Sequence, residues 1–133
     1  MNKFIALIVL ICTMQSLFGQ TANEFYERGK NKANVGKYKD AIYEFNRAIE
    51  ADKNFAKAYN SRGVVKEMIG DFRGAIKDYT SAIEIEPGFY LAYYNRGLVK
   101  IFLGQIESGC EDLDKAEALG HRRATKAKKE CCK

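Results

Sequence analysis

"AKAYNSRGVVKEMIGDFRGAIKDYTSAIEIEPGF", residues 56 to 89, decides the fold, because its landmarks recur on both sides of it at one fixed interval. Its Arg62-Gly63 pair has counterparts 34 residues away in each direction, at Arg28-Gly29 and Arg96-Gly97. The same frame divides the chain without gaps into 22–55, 56–89 and 90–123. Each unit carries an aromatic near its start (Phe25, Tyr59, Tyr93), and four residues on comes the glycine of the Arg-Gly pair. A second glycine follows (Gly36, Gly70, Gly104), then Tyr38, Phe72 or Ile106, and then a small residue (Ala41, Ala75, Gly109). Phe45, Tyr79 and Leu113 come next, with Ala48, Ala82 and Ala116 behind them.

This pattern predicts two helices folded back on each other. In the first unit one helix spans about 22–35 and ends at Gly36, which permits the positive φ that closes a helix. The second runs over about 38–51 with Ala41, Phe45 and Ala48 on one stripe. Small residues 12 apart, Gly29 with Ala41 and Gly63 with Ala75, predict a close approach of the two backbones. One hairpin cannot bury its apolar face alone, so it stacks on the next, and the first helices line the concave side of the stack.

These residues resemble the tetratricopeptide repeat: a 34-residue period, the aromatic, Gly, Gly-x-aromatic, Ala, aromatic, Ala order, and Pro87 closing the second unit. The resemblance, to a small exported bacterial type, implies an all-α chain. Its architecture is an α-solenoid of three tandem helix-turn-helix repeats (22–55, 56–89, 90–123) with a basic capping helix over 121–133. Three departures stand out: Lys53 in place of the first unit's proline, Gly109 in place of Ala, and His121 in place of the third unit's proline.

The chain opens with "MNKFIALIVLICTMQSLFGQ", residues 1–20, in which Lys3 precedes an apolar run over 4–12, polar breakers and Gly19. That layout predicts a signal peptide over 1–19, cleaved after Gly19, and an exported protein, periplasmic or secreted. The alternative is a retained anchor, which needs roughly 18 apolar residues, and Thr13, Gln15 and Ser16 interrupt this run. Cys12 follows the bulky Ile11, unlike a lipid-attachment cysteine. The net charge is +5, but six basic residues against Glu130 lie in 121–133. Residues 20–120 hold 15 basic and 16 acidic residues, so the basic character belongs to the tail and nucleic-acid binding by the whole domain is disfavoured.

An acid recurs 16 residues after each arginine (Glu44, Asp78, Asp112) and a lysine four after it (Lys32, Lys66, Lys100). Two like charges at that spacing on one helix need an offset, so the repeated acid predicts a ladder of ion pairs, within units or between them. In the family that the chain resembles, the concave face binds an extended peptide or a partner's helix. The matching places here include Tyr26 and Lys30 in the first unit, Asn60, Val64 and Glu67 in the second, and Leu91, Tyr94, Leu98, Ile101 and Phe102 in the third. The family's clamp for a terminal carboxylate is missing, since its places hold Tyr26, Lys30, Asn60, Val64, Leu91 and Asn95. Residues 90–103 are apolar nearly all round, and Tyr94, Leu98 and Phe102 are expected at the hydrophobic end of the groove.

In the tail, Ala124, Ala127 and Cys131 share a helical face. Cys110 stands where the earlier units have Ile42 and Ile76, facing the next element, so an oxidised bridge is expected from Cys110 to Cys131, or to Cys132, with a buried free thiol as the alternative. Cys131, Cys132 and His121 make a poor metal site. No nucleophile elbow or phosphate loop is present and the carboxylates recur instead of converging, so no enzyme activity, cofactor or small-molecule substrate is expected. The expected function is a scaffold holding a peptide or protein partner in the groove. Alternatives are attachment of the basic tail to lipid, lipopolysaccharide or nucleic acid, and self-association through the third unit.

Overall fold

The computed structural model describes residues 2–133, and the side chains of all of these except 15–19. Met1, and the side chains of 15–19 just before the expected cleavage point, lie outside that description. Among the described residues there are seven helices and no strands: α1 (Lys3–Asn34), α2 (Tyr38–Ala51), α3 (Ala56–Met68), α4 (Phe72–Ile85), α5 (Tyr90–Phe102), α6 (Ile106–Ala118) and α7 (Arg122–Cys131). They fall into two compact units, the first ending at Asn54 and the second spanning Phe55–Lys133.

In the first unit α1 pairs with α2. Its start corrects the expected boundary near 22: the helix begins at Lys3 and runs unbroken into the first repeat, with no proline in between to stop it. Phe4, Ile5, Leu7, Ile8, Val9, Leu10, Ile11 and Met14 are all exposed along this extension. Among the described residues no helix is long and apolar enough to cross a membrane.

In the second unit the hairpins α3/α4 and α5/α6 stack through α4 and α5, and α7 packs on α6. Ala56, Ala75, Tyr79, Ala82, Ala92 and Val99 form its core. Every hairpin turns at a glycine with positive φ, as at Gly70 (83°). There the following amide, Asp71 N–H, reaches back to the Lys66 carbonyl at 2.8 Å, satisfying a helix-end acceptor. Asp71 then caps α4 by accepting from Gly74 N–H at 2.9 Å.

The paired helices pack tightly at the glycines of the Arg-Gly pairs. A Cβ on Gly29 would lie 2.6 Å from Phe45, and one on Gly63 would lie 2.7 Å from Tyr79. The glycine therefore seats a ring 16 residues on. In α5/α6 the residues 12 apart meet directly: a Cβ on Gly97 would lie 2.8 Å from the Gly109 carbonyl oxygen. Leu113 is smaller than a ring and Gly109 smaller than Ala, so these two backbones come together directly.

The ion-pair ladder forms within hairpins in the second unit. Arg62 donates to both oxygens of Asp78, at 2.9 and 2.6 Å, and Lys66 approaches the same carboxylate at 3.0 Å. Arg96 grips Asp112 in the same way, at 2.8 and 2.7 Å, with Lys100 at 2.9 Å. Arg96 also donates to Thr80 Oγ1 on α4 at 3.0 Å, tying one hairpin to the other. The first unit departs from the ladder. No Arg28–Glu44 pair occurs among the described residues, and the Glu44 Oε2 atom is buried without a hydrogen-bond partner. Glu44 carries one methylene more than the aspartates at its equivalent places, while Arg28 stays exposed over the Phe25 ring at 5.5 Å. Arg62 and Arg96 likewise sit over Tyr59 and Tyr93, at 5.4 and 5.7 Å, so each arginine follows an aromatic that it stacks upon.

The disulfide joins Cys110 to Cys132, not to Cys131, and Cys131 is free and exposed. The helix ends at Cys131, the chain leaves helical geometry at Cys132 (φ −111°, ψ 51°), and it is the later thiol that reaches α6.

Asp78→Asn leaves two cations facing a neutral group. Breaking a fully buried pair costs about 3–5 kcal/mol, and since Arg62 and Lys66 retain 17% and 20% side-chain exposure, a loss of about 2 kcal/mol is expected in urea denaturation. Glu44→Gln should change stability by less than about 0.5 kcal/mol. Cys132→Ser should cost about 3 kcal/mol under oxidising conditions, whereas Cys131→Ser should leave the denaturation midpoint unchanged.

Candidate inner-face site on α3, α5 and α7

The second unit brings together most of the residues singled out for binding, with unequal freedom. Asn60 is buried and accepts from Asn95 Nδ2 at 3.2 Å, so it ties α3 to α5. Glu67 accepts from the Tyr79 hydroxyl at 2.9 Å. Burial first, and then the charge of Glu67, push that hydroxyl well above the ordinary tyrosine range, so it remains a donor. Ile101 leans on α6, where a Cβ added to Gly109 would lie 2.6 Å from it. Asn60, Glu67 and Ile101 are thus spent mainly on holding the unit together.

Leu98 is the centre of what stays open. It lines a cavity of about 390 Å³ with Glu67, Met68, Phe72, Val99 and Phe102. It also lines a second, of about 370 Å³, with Tyr94, Arg123, Lys126, Ala127, Glu130 and Cys131. Phe102 is 71% exposed although its ring lies 4.9 Å from that of Phe72, and Met68 and Leu91 are exposed as well. Val64 is half-buried against the core. In the first unit Lys30 pairs with Glu27 at 2.9 Å and lies over the Tyr26 ring, which itself meets Phe45.

The sequence reading missed the part played by α7. Ala124 and Ala127 are buried against α6, and Lys128 is held by Asp114 and Glu117, both at 2.5 Å. Hydrogen bonds from Lys128 and Thr125 pull the Glu117 carboxyl below its usual range. With that anchor set, α7 presents Arg123 and Lys126 to the same cavity as Tyr94 and Leu98. At its start, His121 stacks on Tyr90 (5.1 Å) and meets Tyr94 edge-on (4.5 Å), filling the place of the missing proline with an aromatic contact. The signal that could have revealed this is the pair of tyrosines at 90 and 94, one helical turn apart, facing the only histidine.

The arrangement offers an apolar floor and a cationic rim. Among the described residues no group of three or more His, Cys, Asp or Glu converges where a metal could sit.

Profiles described as "TPR repeat" and "Tetratricopeptide repeat" match residues 35–70, and 56–89 with 90–119, respectively. The chain belongs to the tetratricopeptide repeat family, whose all-α solenoid it shares. It is similar to the second such domain of Spaghetti (RPAP3) bound to the HSP90 peptide SRMEEVD: 29% identity, TM-score 0.77, covering 80% of this chain and 98% of that one. It is also similar to the second such domain of human RPAP3 in complex with the HSP70 peptide SGPTIEEVD, at 26% identity and TM-score 0.78, covering 90% and 98%. The Arabidopsis OM64 domain shares the fold at 22% identity and TM-score 0.82, covering 86% and 96%. No curated protein matches the sequence.

Burial, and then Arg123, lower the His121 pKa from the ordinary 6.5, so the folded state holds the neutral ring. The stability that this contributes is complete above 6.5 and is lost as the pH falls through the lowered value. The melting temperature of the wild type should therefore drop further between about pH 7 and pH 5 than that of His121→Phe, which has no group titrating in that window.

Proposed function

We propose that the chain is an exported, non-catalytic scaffold whose inner face on α3, α5 and α7 holds a peptide or protein partner. The observation that carries this reading is Leu98, which floors two adjacent open cavities while its neighbours Met68 and Phe102 remain exposed. A family fold with peptide-bound relatives at 26% and 29% identity supports it. Export is supported by the basic-then-apolar start of the sequence and by the Cys110–Cys132 disulfide, since such bonds persist in oxidising compartments.

A second reading, attachment of the tail to an anionic surface, rests on the exposure of Arg122, Arg123, Lys126 and Lys129. It is weakened by Lys128, which α6 already neutralises, and by the burial of Ala124 and Ala127, which makes the tail part of the fold. Leu98→Asp separates the two. Crosslinking in the native envelope or secreted fraction should lose the captured partner while the melting temperature stays within a few degrees. Retention of the partner by the folded variant sinks the groove reading, and attachment that fades with salt but ignores Leu98 points to the tail.

A further inference from the structure

We infer that the cavity between α5 and α7 takes an acidic peptide, an apolar side chain entering between Tyr94 and Leu98 and its neighbouring carboxylates meeting Arg123 and Lys126. This rests on the peptide-binding reading of the inner face and names the ligand class.

The volume, about 370 Å³, lies at the low end of ligand pockets, which run about 300–1,000 Å³. It holds side chains, not a folded domain. Its lining divides by chemistry: Tyr94, Leu98 and Ala127 are apolar, and Arg123 and Lys126 are cationic. The two cations lie three residues apart on the same face of α7. Glu130 reaches Lys126 only at 3.9 Å, with both side chains more than half exposed, so that pair offers little competition to an incoming carboxylate. Lys128, by contrast, is committed to Asp114 and Glu117, which fixes α7 and leaves the cations of its cavity face available.

Tyr94 and Leu98, the α5 residues that line this cavity, carry no charge. Asn60 and Asn95 bond to each other, Glu67 is tied to Tyr79, and Val64, Leu91 and Leu98 are apolar. Within this cavity an incoming anionic group finds its counter-charge on the cap, at Arg123 and Lys126. A bilayer is a poorer fit, because Tyr94 and Leu98 are half-buried at the floor of a concavity that a flat headgroup surface does not enter.

The test is selection from a random dodecapeptide display library on the full-length chain. Enriched peptides should place Asp or Glu within a few residues of Leu, Met or Phe. Their affinity should fall about tenfold for Arg123→Glu/Lys126→Glu, with unchanged circular dichroism, and should weaken as salt rises. Bound peptide should also slow alkylation of Cys131, followed by mass spectrometry of the labelled fragment. Peptides that are neutral or basic, or that bind the double variant equally well, overturn the acidic-ligand assignment while keeping the groove. No enrichment at all overturns the groove reading with it. If the wild type but not the variant floats with phosphatidylglycerol vesicles and no peptide is enriched, the cations serve a lipid surface and the proposal fails.

Discussion

Where the paired helices of each hairpin come nearest, one of them has no side chain. Gly29 and Gly63 each seat a ring, and Gly97 meets the backbone of Gly109. Interiors packed at crystal-like density do not give way to an added methyl group without a shift in the surrounding helices. The glycine therefore fixes the helix separation, and with it the place of the arginine one residue earlier. At that separation an aspartate on the second helix lies within reach of both the arginine and the lysine one turn on. Asp78 and Asp112, nearly buried, each answer two cations in this way. A lone buried carboxylate would be costly; with two hydrogen-bonded partners it instead locks the pairing of helices.

The same geometry shows why the first hairpin is different in kind. With Glu44 in place of aspartate, one carboxylate oxygen is left buried without a partner, and Arg28 remains over Phe25 at the surface. The first unit depends on apolar contact, Phe45 on Gly29 and Ala41 and Ala48 in the core. The second unit has two ladders, a bond from Arg96 to Thr80 between hairpins, and a disulfide closing its last helix onto α6.

The repeat was legible because its framework residues obey fixed spacing, and spacing is what a sequence displays. Gly36, Gly70 and Gly104 marked the turns, and the 16-residue interval from Arg62 to Asp78 marked the pairs. What could not be read depends on side-chain volume or on a single degree of backbone freedom. That Gly63 seats the Tyr79 ring depends on how deeply a ring can sit between helices, which periodicity does not display. Cys131 shares a helical face with Ala124 and Ala127, yet the helix ends there and the next thiol, Cys132, makes the bridge. The start of α1 was misplaced because repeat matching finds where a pattern begins, whereas a helix continues until something stops it. Glu67, Asn60 and Ile101 occupy groove positions by phase, but Tyr79, Asn95 and α6 claim them. Only coordinates reveal such prior commitments.

The capping helix illustrates how one requirement generates another. A stack of hairpins leaves its last apolar face open and needs a helix with one apolar and one polar side to close it. Small residues at Ala124 and Ala127 let α7 lie close on α6, and acids already on α6, Asp114 and Glu117, select a lysine at 128 to hold it. Closing the end in this way brings α7 alongside the inner face, since His121 is pinned between Tyr90 and Tyr94 on α5. Any charge on its adjacent face then borders the groove. The cationic tail and the apolar third hairpin, which read as separate features along the chain, thus become the two walls of one cavity. The physics that terminates the repeat also sets the electrostatic character of its binding surface.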